Sequence, residues 1–210
     1  MEKYGRLTAS FVKRQYFPHL LMVLLFVVLS GGFVSFRGLD GARAAKVMEM
    51  YAAFAGIFLF TPLFMPEQDR EIWDLERSKG TAMWQLYLPR ILLAVLVCIL
   101  VVSLFLGLMV RGGGSFDAGR LFLGACCEIL FLGSIGFFVS AVTNQVVLGY
   151  MIAVVYYTVN IGGGKYLWKF ALFQMMKGEY GSWGCWLLGA VVLLAFGVFV
   201  RERVRRRGGL

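Results

Sequence analysis

The sequence predicts an all-α integral membrane protein of six transmembrane helices, and three observations predict it. Hydrophobic residues make up 60% of the 210-residue chain, against roughly 45–50% in soluble domains. They fall in blocks of about the length, 17–25 residues, that a helix needs to cross ~30 Å of hydrocarbon. The stretches between blocks are too short for a water-soluble domain, so residues 1–210 read as one membrane domain.

Tyr4, Leu7, Phe11 and Val12 recur at helical spacing, with Lys3, Arg6, Ser10, Lys13 and Arg14 opposite. This predicts an amphipathic helix over residues 1–16 lying in the headgroup layer; a solvated basic tail is the competing reading. The first span, Phe17–Phe36, exceeds the roughly 7–15 apolar residues of a secretory signal, so that assignment is set aside. The second is Val47–Met65. The third, Ile91–Val110, has only Ser103 and Gly107 as weakly polar members. The fourth is Leu121–Val142, and Thr143-Asn144-Gln145 join it to the fifth, Val146–Ile161. The sixth is Trp183–Val200. Cys98, Cys126, Cys127 and Cys185 all lie within spans and form no CxxC or Cys/His set, so they read as small apolar fillers, with no metal site.

Six spans put both termini on one side. The tails with the second and fourth connections hold 13 of the 21 Lys and Arg residues, and the opposite side holds 8. The positive-inside rule therefore places both termini in the cytosol, and the basic tail Arg201–Arg207 suits an anionic leaflet. Topology thus accounts for the net charge of +9. Nucleic-acid binding would need a basic soluble face, which the chain lacks.

Glu128 is the one carboxylate deep in a predicted span. At every fourth position around it stand Gly124, Leu132, Gly136, Ser140 and Asn144, with Gly133 beside them. Small residues let helices approach closely, and a charge at the bilayer centre costs at least ~2.5–3.5 kcal/mol, so Glu128 should face protein or water. Two readings stay open: Glu128 lines a path or carries a proton, or it ties helices together. Glu49, near the outer end of the second span, reads as a residue that snorkels to the interface. Tyr156, Tyr157 and Asn160 read as an aromatic belt at the end of the fifth span, or as part of a path lining.

Between the second and third spans runs Pro66 to Gly80, with five of the twelve acidic residues inside ten positions. Glu67 and Asp69 suit a helix N-terminus after Pro66, and Lys79-Gly80 suit its end. Ile72, Trp73 and Leu75 fall on one side among Arg70, Glu71, Asp74, Glu76 and Arg77. The segment reads as a docking helix over 67–79 or as a solvated connector.

The order of a span, this acidic helix, Ser78-Lys79-Gly80-Thr81 and Leu86-Tyr87-Leu88-Pro89-Arg90 resembles the type-two ABC transporter permease family along the whole chain. The resemblance implies an N-terminal interfacial helix, a cytosolic coupling helix at Glu67–Lys79 and a re-entrant element before the last helix. That element would be Tyr166–Met176, which is too short to span; an interfacial helix is its alternative. It further implies cytosolic ABC ATPase subunits and a second permease copy or homologue as partners. The setting would be the inner membrane of a bacterium. ATP and Mg would be bound by the partner ATPase, and no cofactor by this chain.

The chain carries no nucleotide-binding loop of its own. Before Gly163-Gly164-Lys165, Val159 stands where the first glycine belongs, and Tyr166 follows the lysine. HExxH and Gly-x-Ser-x-Gly are also missing. Two rival functions are an intramembrane enzyme using Glu128 and a non-catalytic immunity or assembly partner. The residues do not name a cargo.

Overall fold

The structure, a computed structural model, describes residues 16–33, 35–69, 83–163 and 166–206. Among these the chain is helical, without strands: α1 Phe17–Phe33, α2 Gly41–Phe64, α3 Met83–Arg111, α4 Ala118–Thr143, α5 Val146–Gly163 and α6 Trp183–Arg206. Helices α2 to α6 are long and apolar enough to cross a membrane, the pattern of a multi-pass membrane protein, and α1 is a shorter apolar helix. The interfacial helix predicted over residues 1–16 lies outside the described residues except for Tyr16.

Several helix boundaries differ from the hydropathy reading, and α2 shows why. Helix α2 begins six residues before Val47, because the Asp40 carboxylate accepts the Arg43 amide at 2.8 Å and caps a polar first turn. Its course is then irregular. A π-helical turn covers Met48–Ala52, α-helix resumes at Ala53–Phe60, and Thr61–Phe64 tightens to a 3-10 helix around Pro62. Each π turn takes up extra residues and shifts every later side chain around the axis. Helix α4 is capped in the same way as α2, by Asp117 on the Arg120 amide at 3.1 Å.

Helix α4 sits at the centre, packed on α2, α3, α5 and α6. Its small residues make this possible. A methyl group on Gly133 would lie 2.6 Å from the Gly56 carbonyl oxygen of α2, and one on Gly149 of α5 would lie 2.6 Å from the Gly136 carbonyl of α4. The backbones are therefore in contact along the stripe that the sequence picks out. The outer faces are apolar and exposed, including Leu24 and Val28 of α1, Val147 and Val155 of α5, and Leu188 and Val192 of α6. A monomer in water would not expose such a belt, but lipid accommodates it.

The two ends of the bundle are tied differently. At one end the α1–α2 and α3–α4 connections bond to each other: Gly38 donates to the Gly112 carbonyl at 2.8 Å and Ser115 to that of Leu39 at 2.9 Å. At the other end, Tyr16 donates to the Leu59 carbonyl at 2.9 Å. There Arg90 of α3 donates to the Leu63 carbonyl and to Glu67, at 3.2 and 2.5 Å.

Candidate functional site

The site gathers around Tyr166–Lys177, between α5 and α6. The segment is neither one helix nor a surface loop. Two 3-10 turns, Trp168–Phe170 and Met175–Lys177, flank a non-helical stretch, Ala171 to Gln174, that is buried together with Met175. Buried backbone outside regular structure must find partners for its amides, and here three side chains supply them. Asn160 of α5 accepts the Leu172 amide at 2.8 Å. Glu49 of α2 accepts the amides of Met175 and Met176 at 2.6 and 2.9 Å, one on each oxygen. Glu128 of α4 accepts the Phe173 amide at 3.5 Å, the outer limit of a hydrogen bond.

Further contacts hold the segment from its flanks. Tyr156 donates to the Phe170 carbonyl at 2.6 Å, and Gln174 donates to that of Trp168 at 2.9 Å while accepting from Ser182. The Tyr157 ring meets Phe173 edge-on at 5.3 Å, and Phe131 packs on Phe170 at 5.7 Å. Trp168 and Phe173 both sit at positive φ, 49° and 61°, where an L-residue loses roughly 1–2 kcal/mol. Such strain persists only where the surroundings over-determine the conformation.

Three candidate residues, Glu128, Tyr157 and Asn160, meet the same buried segment. Their environment departs from the belt reading, because Tyr157 and Asn160 are buried rather than turned to lipid. Tyr157 donates to the Met50 carbonyl at 2.9 Å. Ser140 and Asn144 do not join them. Ser140 bonds within its own helix to the Gly136 carbonyl at 2.8 Å, and Asn144 ends α4 in a left-handed conformation at the opposite end. Glu49 is the residue the sequence reading undervalued. Instead of snorkelling it is fully buried, lying in the π turn and facing protein. Its one early signal was a carboxylate next to the small residues Ala52, Ala53 and Gly56.

The charged connector also needs a correction. Pro66–Gln68 is a single 3-10 turn and Asp69 is extended (ψ 122°), so the predicted helix does not start at Glu67. Glu67 is buried against Arg90 rather than displayed, while Asp69 is exposed. Gln68 donates to the Asn144 carbonyl at 3.0 Å, tying the root of the connector to the α4–α5 turn. Arg70, Glu71, Ile72, Trp73, Asp74, Leu75, Glu76 and Arg77 lie outside the described residues.

Two cavities border the clamped segment. One of about 190 Å³ lies among Gly124, Met175, Trp183 and Trp186, with Arg120 at its edge. The other, about 270 Å³, lies between α2, α5 and the segment. Glu128 Oε2 and Trp186 Nε1 are buried without a hydrogen-bond partner. Among the described residues, no three His, Cys, Asp or Glu side chains cluster as metal ligands, and all four cysteines are free thiols. Chemically, Glu49, Asn160 and one oxygen of Glu128 accept backbone amides, an arrangement that fixes a chain segment. No family model, curated protein or solved structure matches the chain.

Proposed function

We propose that the chain is the membrane-spanning permease subunit of an ABC exporter, forming the substrate path and driven by separate cytosolic ATPase subunits. In this reading α1 is the sixth span. Its 17 residues reach about 25 Å at 1.5 Å per residue, close to the lower limit for crossing. Both termini face the cytosol, Arg70–Arg77 contact the ATPase, and a second permease copy or homologue completes the path. ATP and Mg are bound on the partner. Tyr166–Met176 is the re-entrant element at the outer end, an irregular backbone tolerated at membrane depth where protein surrounds it.

The observation that carries this reading is the locked root of the charged connector. Arg90 of α3 holds both Leu63 and Glu67 at the end of α2, and Gln68 reaches the α4–α5 turn. A force applied to the connector is thereby delivered to α2, α3 and the central helix together. The enzyme alternative needs Glu128 within reach of a substrate. Yet the residue is only 1% exposed, with Oε1 against a backbone amide.

The test is co-expression with a candidate cytosolic ABC ATPase subunit from the same genome. Co-purification that Trp73→Ala abolishes supports the reading. Co-purification and ATP turnover unchanged by Trp73→Ala, or labelling of a Ser78→Cys variant only from outside the cell, would remove it.

A further inference from the structure

The 270 Å³ cleft is walled by Lys46 and Met50 of α2, Asn160 and Ile161 of α5, and Phe173, Met176 and Lys177 of the clamped segment. Its charge is one-sided. Two exposed lysines from different elements line it, and no carboxylate does. The adjacent carboxylate, Glu49, is fully buried and gives one oxygen to each of the Met175 and Met176 amides. Asn160 is likewise engaged, accepting from Leu172 and donating to the Tyr156 carbonyl at 2.7 Å. The rest of the wall is Met50, Met176, Phe173 and Ile161. Thioethers and a ring of this kind adapt to a flexible apolar chain.

We propose that this cleft binds an amphiphile with a single anionic head, a phosphate or carboxylate held between Lys46 and Lys177, and an apolar chain lying on Met50, Phe173 and Met176. Two lysines on separate elements bind such a head as point charges. The volume is just below the ~300–1,000 Å³ of typical small-molecule sites, so it accepts the head and the first part of the chain. The occupied cleft would bridge α2 to the clamped segment directly beside the Glu49 hydrogen bonds. The same chemistry is offered by an acidic phospholipid of the bilayer and by a free amphiphile in transit. The site itself does not depend on the ATPase reading.

The test uses the full-length chain in neutral maltoside detergent, with bound dodecyl phosphate counted by native mass spectrometry and dodecanol as the uncharged control. Dodecyl phosphate is expected to bind at least about tenfold more tightly than dodecanol. The double variant Lys46→Gln/Lys177→Gln is expected to lose that advantage, while Lys169→Gln and the charge-preserving Lys46→Arg/Lys177→Arg retain it. Displacement by phosphatidylglycerol but not phosphatidylcholine assigns the site to bilayer lipid; persistence of dodecyl phosphate against both assigns it to a free amphiphile. Equal binding of dodecyl phosphate and dodecanol overturns the proposal, as does undiminished binding by a monodisperse Gln double variant. No ATPase is present, so failure here leaves the docking test untouched, and the reverse holds.

Discussion

The Glu49 carboxylate receives the amides of Met175 and Met176, residues that lie 126 and 127 positions further along the chain. It is the strongest polar tie between α2 and the segment that precedes α6. A buried hydrogen bond contributes about 0.5–1.5 kcal/mol, and a buried donor left without its partner costs about 1–3 kcal/mol. Glu49→Gln keeps one acceptor oxygen and turns the other into a donor facing an amide. We expect a loss of about 2 kcal/mol, and a Tm lowered by about 4–8 °C for a chain of this size. Trypsin cleavage at Lys169 and Lys177 should accelerate in parallel. An unchanged Tm together with unchanged cleavage would refute the clamp.

Backbone contact between α2 and α4 makes Gly56 intolerant. A methyl group there would lie 2.9 Å from the Ile129 side chain and nearer still to its carbonyl. Gly56→Val is expected to cost at least the ~1–3 kcal/mol of overpacking, seen as a low folded yield by size exclusion. Gly107 is the contrasting case, exposed in mid-helix with nothing within 4 Å of an added methyl. Gly107→Ala should raise stability by up to ~1 kcal/mol.

The connector separates structural from docking residues. Glu67 is buried with Arg90, and removing one member of a buried pair typically costs ~3–5 kcal/mol. Glu67→Gln should therefore lower the Tm of the chain on its own, without any ATPase. Trp73→Ala should leave that Tm unchanged and act only on ATPase co-purification. A Glu67→Gln protein as stable as wild type would contradict the buried-pair assignment.

Strain at Trp168 offers a fourth check. Its φ is 49° while its side chain is 81% exposed, so the ring gains little packing in return. Asn tolerates the left-handed region far better than Trp. Trp168→Asn should raise the Tm of the detergent-purified chain, by about 2 °C for a gain of some 0.5–1 kcal/mol. A fall in Tm would mean that the indole and its contact with Lys169 stabilise more than the geometry costs.

Hydropathy located the body of every described helix because apolar blocks are local and additive. It missed the first turns of α2, since Arg43 and Lys46 interrupt the apolar run over Gly41–Lys46, and the start is marked instead by the Asp40 cap. The small-residue stripe of α4 was readable for the same local reason, being periodic within one helix. Glu49 was not readable. Its role depends on the π turn, which the sequence does not announce, and on partners far along the chain. Position near a span end suggested snorkelling, but only tertiary packing decides which way such a carboxylate turns. The connector misled in the opposite direction. Acidic residues after Pro66 looked like a helix start, whereas Arg90 draws Glu67 inward and the chain straightens at Asp69.

The separation between Glu49 and its amide partners also sets a schedule for biogenesis. At ~5–20 residues per second a ribosome takes roughly 6–25 s to synthesise the chain between them. Throughout that interval the carboxylate of a half-made protein must wait in the insertion machinery or at the membrane surface. The second helix can therefore complete this tie only after residues 175 and 176 have been made.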